Sequence, residues 1–155
     1  MKQLGTSLFL AVCMFLAACG YSKNNNNNSN LNGNWNASLT SQGSNSATLA
    51  FSTTLNTNSG NGVTGTNLNF TTNDGCFDNK NATANGSFTL SGNYNGNVNG
   101  GFGMTITSPA SGASGNNTLT LAGTVSNGNT ISGTWTLAGM QSGCTGSGTF
   151  TMTKM

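Results

Sequence analysis

The stretch NTISGTWTLAGMQSGC, residues 129–144, aligns without a gap with NGVTGTNLNFTTNDGC, residues 61–76. Both contain Asn, then Val or Ile, Thr or Ser, Gly-Thr and a final Gly-Cys, at an offset of 68 residues. Other pairs of segments match in the same order: GNWNASLTS with GGFGMTITS, TLAF with TLTL, and GSFTL with GTFTM. The sequence therefore predicts an internal duplication, with halves at about 33–92 and 93–155.

Large apolar residues fall on alternate positions within the matched segments, with Thr, Ser or Asn between them. A period of two is typical of strands that bury one face. It predicts eight strands, at about 33–42, 46–56, 62–71, 83–91, 101–108, 117–126, 130–138 and 146–154. Segments rich in Gly and Asn separate the strands, as expected of turns. The predicted class is therefore all-β.

Short antiparallel strands must protect their edges, and closing the sheet into a barrel removes the edges altogether. We therefore predict one domain, residues 33–155, that forms an eight-stranded antiparallel barrel from two duplicated four-strand halves. A β-sandwich is the alternative. An outer-membrane barrel would show the same alternation with its apolar face outward. Ala and Gly on the apolar faces argue against that version, because lipid contact favours larger apolar side chains.

The N-terminal segment contains Lys2 and then the apolar run LFLAVCMFLAA, residues 8–18. This run is too short for a bilayer-spanning helix, which needs about 20 residues, and is typical of a secretory signal peptide. The run leads into LAAC, which matches the lipobox of bacterial lipoproteins: Leu16-Ala17-Ala18-Cys19. An ordinary secretory signal with a chance cysteine is the alternative.

The lipobox resemblance implies that residues 1–18 are a lipoprotein signal peptide and that Cys19 is the first mature residue. In that family the cysteine thiol carries diacylglycerol and the amine a further acyl chain, such as palmitate, so that the lipid anchors the protein to the membrane. The Asn-rich residues 19–32 are then a tether. Gly20 and Tyr21 are not the acidic residue that retains lipoproteins in the inner membrane. The resemblance therefore implies attachment to the cell envelope, at the outer membrane if the source is Gram-negative.

The chain has four cysteines, of which Cys13 lies in the predicted signal peptide. With Cys19 lipidated, Cys76 and Cys144 remain, and an exported protein meets an oxidising compartment. We therefore predict a Cys76–Cys144 disulfide, which would contribute about 4 kcal/mol in the chain-entropy model. A metal-binding thiol pair is the alternative, but the chain has no His and only two carboxylate side chains to complete a zinc site.

Short motifs resemble families of ligand-binding barrels. GNW at residues 33–35 is similar to the G-x-W motif of lipocalins and the GTW of avidins, and GTFTMTK at residues 148–154 is similar to the last avidin strand. These likenesses imply a calycin-like barrel. Along most of the chain, the layout GNW … GC … GTFT resembles small β-rich bacterial lipoproteins, a likeness that implies no activity.

A barrel interior can hold a small apolar ligand, and aromatic side chains would line such a cavity. The candidate ligand-binding residues are Trp35, Phe102 and Trp135. The alternative is that these rings fill the core of a small barrel. The weak candidates for a metal site are Asp74 and Asp78 in NDGCFDNK, residues 73–80, which could offer oxygen ligands to Ca²⁺. A solvated turn beside the disulfide is the alternative there.

Charged residues make up only 4% of the chain, the net charge is +2, and there is no His. Such a chain lacks the basic surface of a nucleic-acid-binding protein. Without His it has no Ser–His or Cys–His nucleophile pair, so we predict that it is not an enzyme and needs no cofactor. The functional prediction is an envelope lipoprotein whose barrel acts by binding or as structure, with an unidentified protein or small-molecule partner. A lipocalin-like carrier of a small apolar ligand is the alternative.

Overall fold

In the computed structural model, the described residues are 31–43, 49–58, 61–71, 75–94, 97–110 and 114–155, and for residues 89–99 only the backbone is described. These residues form eight β-strands and no α-helix. The strands are β1 (Gly33–Ser41), β2 (Ala50–Thr57), β3 (Gly62–Phe70), β4 (Thr83–Tyr94), β5 (Asn97–Pro109), β6 (Asn116–Ser126), β7 (Thr130–Ala138) and β8 (Thr145–Lys154).

Each strand pairs antiparallel with the next strand along the chain, and β1 pairs antiparallel with β8. The β1–β8 register runs from Trp35 opposite Lys154 to Ser41 opposite Gly148, so the last strand closes the sheet onto the first. The predicted eight-stranded antiparallel barrel is confirmed. The β-sandwich alternative is wrong, because both edges of the sheet are joined to each other.

The strand bounds differ from the prediction mainly at the β4–β5 hairpin. The prediction ended β4 at 91 and began β5 at 101, whereas pairing continues to Tyr94 opposite Asn97. Residues 92–100 are rich in Gly and Asn, which indicated a turn, but ladder hydrogen bonds use only the backbone. In the described part of the chain, β2 begins at Ala50, and residues 46–48 of its predicted range lie outside the described residues.

The core lies inside the barrel and is filled by the alternate apolar residues of the strands. The largest fully buried side chains are Trp35, Trp135, Phe88, Leu31, Leu49, Leu55, Met104, Ile106, Leu119, Leu121, Ile131 and Met152. Thr, Ser and Asn occupy most of the alternate, outward positions. This arrangement is the inverse of a lipid-facing barrel, which is apolar on its outer surface.

The two halves match closely in their first strands and differ in their third. Trp35 and Leu39 of β1 point inward, as do their predicted counterparts Phe102 and Ile106 of β5. In β3, however, a β-bulge shifts the register against β2 between Ser52 and Thr54. The inward positions of β3 after the bulge are therefore one residue out of step with those of β7. A gap-free sequence alignment cannot show this, because it overlays an exposed residue of β3 on a buried one of β7.

The chain enters β1 from a fixed position. Leu31, which the sequence placed in the tether, is fully buried. Its carbonyl oxygen accepts a hydrogen bond of 2.9 Å from Trp35 Nε1. The side-chain oxygen of Asn32 accepts bonds from the backbone N–H of Thr57 at 2.7 Å and from its hydroxyl at 2.9 Å. The packed part of the chain therefore includes residues 31 and 32, at the end of the barrel where β1 begins.

Candidate functional site

The strand connections differ in length between the two ends of the barrel. At the end where Leu31 packs, which we call the tether end, the connections are short: 58–61, 95–96 and 127–129. At the other end, which we call the disulfide end, the connections are longer: 42–49, 71–82, 110–115 and 139–144. Binding residues are common on long loops that a rigid scaffold positions. The disulfide end is therefore where we expect a functional site.

A disulfide between Cys76 and Cys144 joins two of these connections, with a Cα–Cα distance of 5.5 Å. The disulfide predicted from the cysteine count is confirmed. The β3–β4 and β7–β8 connections lie on opposite sides of an eight-stranded circle. They can approach so closely only if at least one of them folds across the opening. The disulfide and the parts of the two connections that it joins, residues 75–82 and 139–144, thus form a cap over the barrel opening. Both cysteines are buried.

Two buried polar side chains hold the cap against the strands. Asn117, at the start of β6, donates its side-chain amide to the carbonyl oxygen of Cys76 at 2.7 Å. Ser108, near the end of β5, accepts a hydrogen bond of 2.9 Å at its hydroxyl oxygen from the backbone N–H of Asp78. Both side chains are fully buried. The connection that carries Cys76 is therefore fastened to β5 and β6 as well as to the β7–β8 connection.

Two buried oxygen atoms at this end of the barrel, one in β6 and one in the β7–β8 connection, are not paired. Among the described residues, no donor reaches Asn117 Oδ1 or Gln141 Oε1. Most buried side-chain acceptors in proteins are paired, so these two oxygens stand out. Phe77, in the same connection as Cys76, stacks its ring on that of Phe70 at a centroid distance of 4.4 Å.

Asp78 organises a turn within the cap. Its Oδ1 accepts the backbone N–H of Lys80 at 2.9 Å, and its Oδ2 accepts the side-chain amide of Asn81 at 2.6 Å. The Lys80 backbone donor, with the Asn81 amide and the nearby Lys80 charge, holds the pKa of this exposed carboxyl below its ordinary value of 3.8. The side-chain oxygen of Asn79 accepts the backbone N–H of Phe70 at 2.7 Å.

Of the two predicted Ca²⁺ ligands, Asp78 lies among the described residues. Both carboxylate oxygens of Asp78 already serve a turn, which accounts for this residue without a metal ion. Asp74 lies outside the described residues. Within the part of the chain that the structure describes, no group of three or more His, Cys, Asp or Glu residues could hold a metal ion.

The candidate ligand-binding residues Trp35, Phe102 and Trp135 all lie in the core and are at most 4% exposed. Both indole donors bond to the backbone, since Trp35 Nε1 reaches Leu31 O and Trp135 Nε1 reaches Thr40 O at 3.2 Å. The indoles belong to different levels of the sheet. Trp35 lies near the start of β1, whereas Trp135 pairs with Gly148, which faces Ser41 at the end of β1. Their binding of a ligand stays a prediction.

Sequence reasoning missed the buried polar residues, although a signal for them was present. Asn117 continues the alternation of Leu119 and Leu121 backwards by two positions, and Ser108 continues that of Met104 and Ile106 forwards. A period of two therefore assigns both residues to the inward face. A polar residue at an inward position indicates a specific hydrogen bond, because burial without one is costly.

The predicted lipidation site, Cys19, and the predicted signal peptide, residues 1–18, lie outside the described residues. In the described ranges, no helix has the length and apolar character needed to cross a membrane.

Together, these features define a class: a closed eight-stranded antiparallel barrel with an apolar interior, a neutral outer face and one disulfide-capped end. No family model, curated protein or solved structure matches the chain.

Proposed function

We propose that this chain is a lipoprotein of the bacterial cell envelope whose β-barrel acts by binding or as structure, without catalysis. The lipobox ending at Cys19 supports the lipid anchor, and the absence of an acidic residue at positions 20 and 21 favours the outer membrane. The membrane is then a partner through the lipid. The partner of the barrel itself is a protein or a small molecule.

The observation that carries this proposal is the arrangement of the barrel ends. The chain arrives from the N-terminal segment at the tether end, where Leu31 is packed into the core. The long connections and the Cys76–Cys144 disulfide lie at the opposite end. A barrel held by a lipid on Cys19 can therefore present its capped end away from the membrane surface. This geometry supports a role in which the capped end meets other molecules of the envelope.

The distribution of ionisable groups supports a role without catalysis. Acid–base catalysis needs a titrating group within reach of a second functional group. Among the described side chains, the ionisable ones other than the disulfide cysteines are those of Asp78, Lys80 and Lys154. Asp78 serves a turn with Lys80 at the capped end, whereas Lys154 ends β8 at the tether end.

The alternative function is a carrier of a small apolar ligand inside the barrel. The apolar interior is consistent with that role, but the indoles of Trp35 and Trp135 already bond to backbone oxygens. Native and denatured intact masses of the oxidised protein, residues 20–155, separate the two roles. A co-purifying adduct that is lost on denaturation would establish the carrier function and replace the one proposed here. A bare mass would favour the barrel as a binding or structural domain.

Membrane fractionation tests the anchor. We expect Cys19→Ala to release the protein from the membrane fraction, because the acceptor of the lipid is lost. Cys13→Ala is the matched control, since this cysteine lies within the predicted signal peptide and should leave fractionation unchanged. Equal membrane association of the Cys19→Ala variant and the wild type would contradict lipid anchoring.

A further inference from the structure

The β-bulge in the first half of the barrel shapes a surface that the second half lacks. Ser52 faces Asn69 and Thr54 faces Thr66, so Thr53 lies opposite two residues of β3. Its side chain is buried, and its hydroxyl donates to the Thr66 carbonyl oxygen at 2.9 Å. The β6–β7 ladder, at the corresponding place in the second half, pairs residue by residue from Thr118 to Ser126. The bulge is therefore not a consequence of the repeated architecture.

A depression of about 190 Å³ lies on the outer surface at this bulge. Its lining consists of Asn34, Ser52, Thr53, Thr54, Asn67 and Met155. All of these side chains are neutral, and five of the six carry a hydroxyl or a carboxamide. The sixth, Met155, is one of the two large apolar residues that are exposed within the described part of the chain. The depression thus combines polar groups with an apolar patch.

Hydrogen bonds orient three of the polar side chains. Asn67 donates its amide to the hydroxyl of Thr54 at 3.2 Å, and that hydroxyl donates to the side-chain oxygen of Asn34 at 2.8 Å. The chain of bonds uses the nitrogen of Asn67 and the oxygen of Asn34. Within the described residues, the oxygen of Asn67 and the nitrogen of Asn34 make no hydrogen bond. An acceptor on Asn67 and a donor on Asn34 therefore lie at the two ends of this chain of hydrogen bonds, and both side chains are exposed.

The backbone at Asn67 adds to the argument. This residue has a φ of 52°, a conformation that glycine adopts at no steric cost. Asn is the side chain that tolerates this region best among the others, and it brings a carboxamide to the depression. Bulges are enriched beside functional sites because they re-aim side chains. Here the bulge places Asn67 on the outer surface, where its amide donates to Thr54 and completes the chain of hydrogen bonds.

We propose that this depression binds a neutral saccharide. Sugar rings present alternating hydroxyl donors and acceptors together with C–H faces, which match the carboxamides, the Thr54 hydroxyl and the Met155 side chain. All six lining side chains are neutral, which matches an uncharged ligand. Its volume is below the range of about 300–1,000 Å³ that is typical of pockets for drug-sized molecules, so it suits a single sugar residue.

The proposal extends the binding role proposed above but does not depend on the lipid anchor. Its test uses ¹⁵N-labelled residues 20–155, which contain every strand of the closed barrel and its buried core. N-acetylglucosamine is the probe, titrated into the high millimolar range while ¹H–¹⁵N spectra are recorded. We expect the side-chain amide signals of Asn34 and Asn67 to shift in a saturable way, with little change at the disulfide end.

Asn67→Gly is the decisive variant, because glycine keeps the positive φ while removing the carboxamide. We expect its affinity for the sugar to fall about fivefold or more, as for the loss of one hydrogen bond. Asn127→Gly is the matched control, since Asn127 also has a positive φ, 55°, but does not line the depression. Its affinity should equal that of the wild type.

Thr54→Val is a second variant of similar shape. It removes the hydroxyl in the middle of the chain of hydrogen bonds, and we expect it to weaken sugar binding too. Shifts that are absent from the Asn34 and Asn67 amides, or that persist unchanged in Asn67→Gly, would overturn the saccharide site. Such a result would leave the anchor unaffected, because that part of the proposal is tested separately by fractionation of the Cys19→Ala variant.

Discussion

The side-chain amide of Asn117 donates to the carbonyl oxygen of Cys76 over 2.7 Å, joining the start of β6 to the cap that crosses the barrel opening. The two residues are 41 positions apart in the chain. The bond is buried, and it lies beside the covalent link between the two halves of the barrel. This bond, the hydrogen bond between Asp78 and Ser108, and the disulfide therefore act together to fix the cap.

Replacing Asn117 with Ala should destabilise the protein by about 1–3 kcal/mol, because a buried hydrogen bond is lost. Chemical denaturation followed by tryptophan fluorescence measures this change. Asn116→Ala is the matched control, since the neighbouring Asn116 is exposed, and we expect its effect to stay within about 0.5 kcal/mol. Equal stability of the two variants would show that the amide does not hold the cap.

Removal of the disulfide should lower the free energy of unfolding by about 4 kcal/mol, because a loop of 68 residues is no longer closed in the unfolded chain. The comparison is between the wild type and the Cys76→Ala/Cys144→Ala variant. The denatured mass of the wild type should be two hydrogens below that of the reduced chain. Because both cysteines are buried, reductant should act slowly on the folded wild type, and the double variant should not respond to it. Rapid reduction without unfolding would contradict a buried cap.

Asp78 should make stability depend on pH in the acid range. Its folded pKa lies below 3.8 because the Lys80 backbone N–H and the Asn81 amide favour the carboxylate. A depressed pKa contributes stability above the unfolded value, and that stability is lost as pH falls through the folded value. The melting temperature of the wild type should therefore drop more than that of Asp78→Asn below about pH 4. Parallel curves for the two proteins would show that the turn does not contribute.

A substitution at Gly148 of β8 tests how tightly β8 packs against β1 where the barrel closes. A Cβ at this position would overlap the carbonyl oxygen of Thr40 and lie 2.8 Å from Trp135 Nε1. We expect Gly148→Ala to cost about 1–3 kcal/mol by overpacking and to alter the fluorescence of Trp135. Gly101→Ala is the control, because a Cβ there would have no neighbouring atom within 4 Å. A Gly148→Ala variant as stable as this control would mean that β1 and β8 can separate at little cost.

Much of the fold could be predicted because strands with one buried face carry a local signal. The alternation of Trp35, Ala37 and Leu39 in β1 and of Phe150 and Met152 in β8 was sufficient to place these strands. The extension of the β4–β5 hairpin to Tyr94 could not be read in this way, because backbone pairing continues where few apolar side chains remain. The bulge is indicated in the sequence, because the apolar residues of β3 change from odd to even positions between Val63 and Leu68.

The candidate sites were predicted less completely. The partnership of Cys76 and Cys144 followed from counting cysteines, but nothing in that count said that their connections cross the barrel opening. Asn117 and Ser108, which hold the cap, belong to no motif, and only their inward parity distinguishes them from the many exposed Asn and Ser residues. The depression at Asn34 and Asn67 is lined by residues of three strands and by the residue after β8. Because these residues are far apart in the sequence, no local pattern indicates the depression.

The sequence by itself determined the all-β class, the approximate strands and the disulfide pair, because side-chain alternation and cysteine count are properties of the chain read locally. The tertiary structure decided the closure of β1 onto β8, the crossing of the barrel mouth and the bulge beside Thr53. These features depend on which distant backbone groups meet and in which register. Such pairing is set by the summed packing and hydrogen bonding of the whole barrel, and no single segment encodes it.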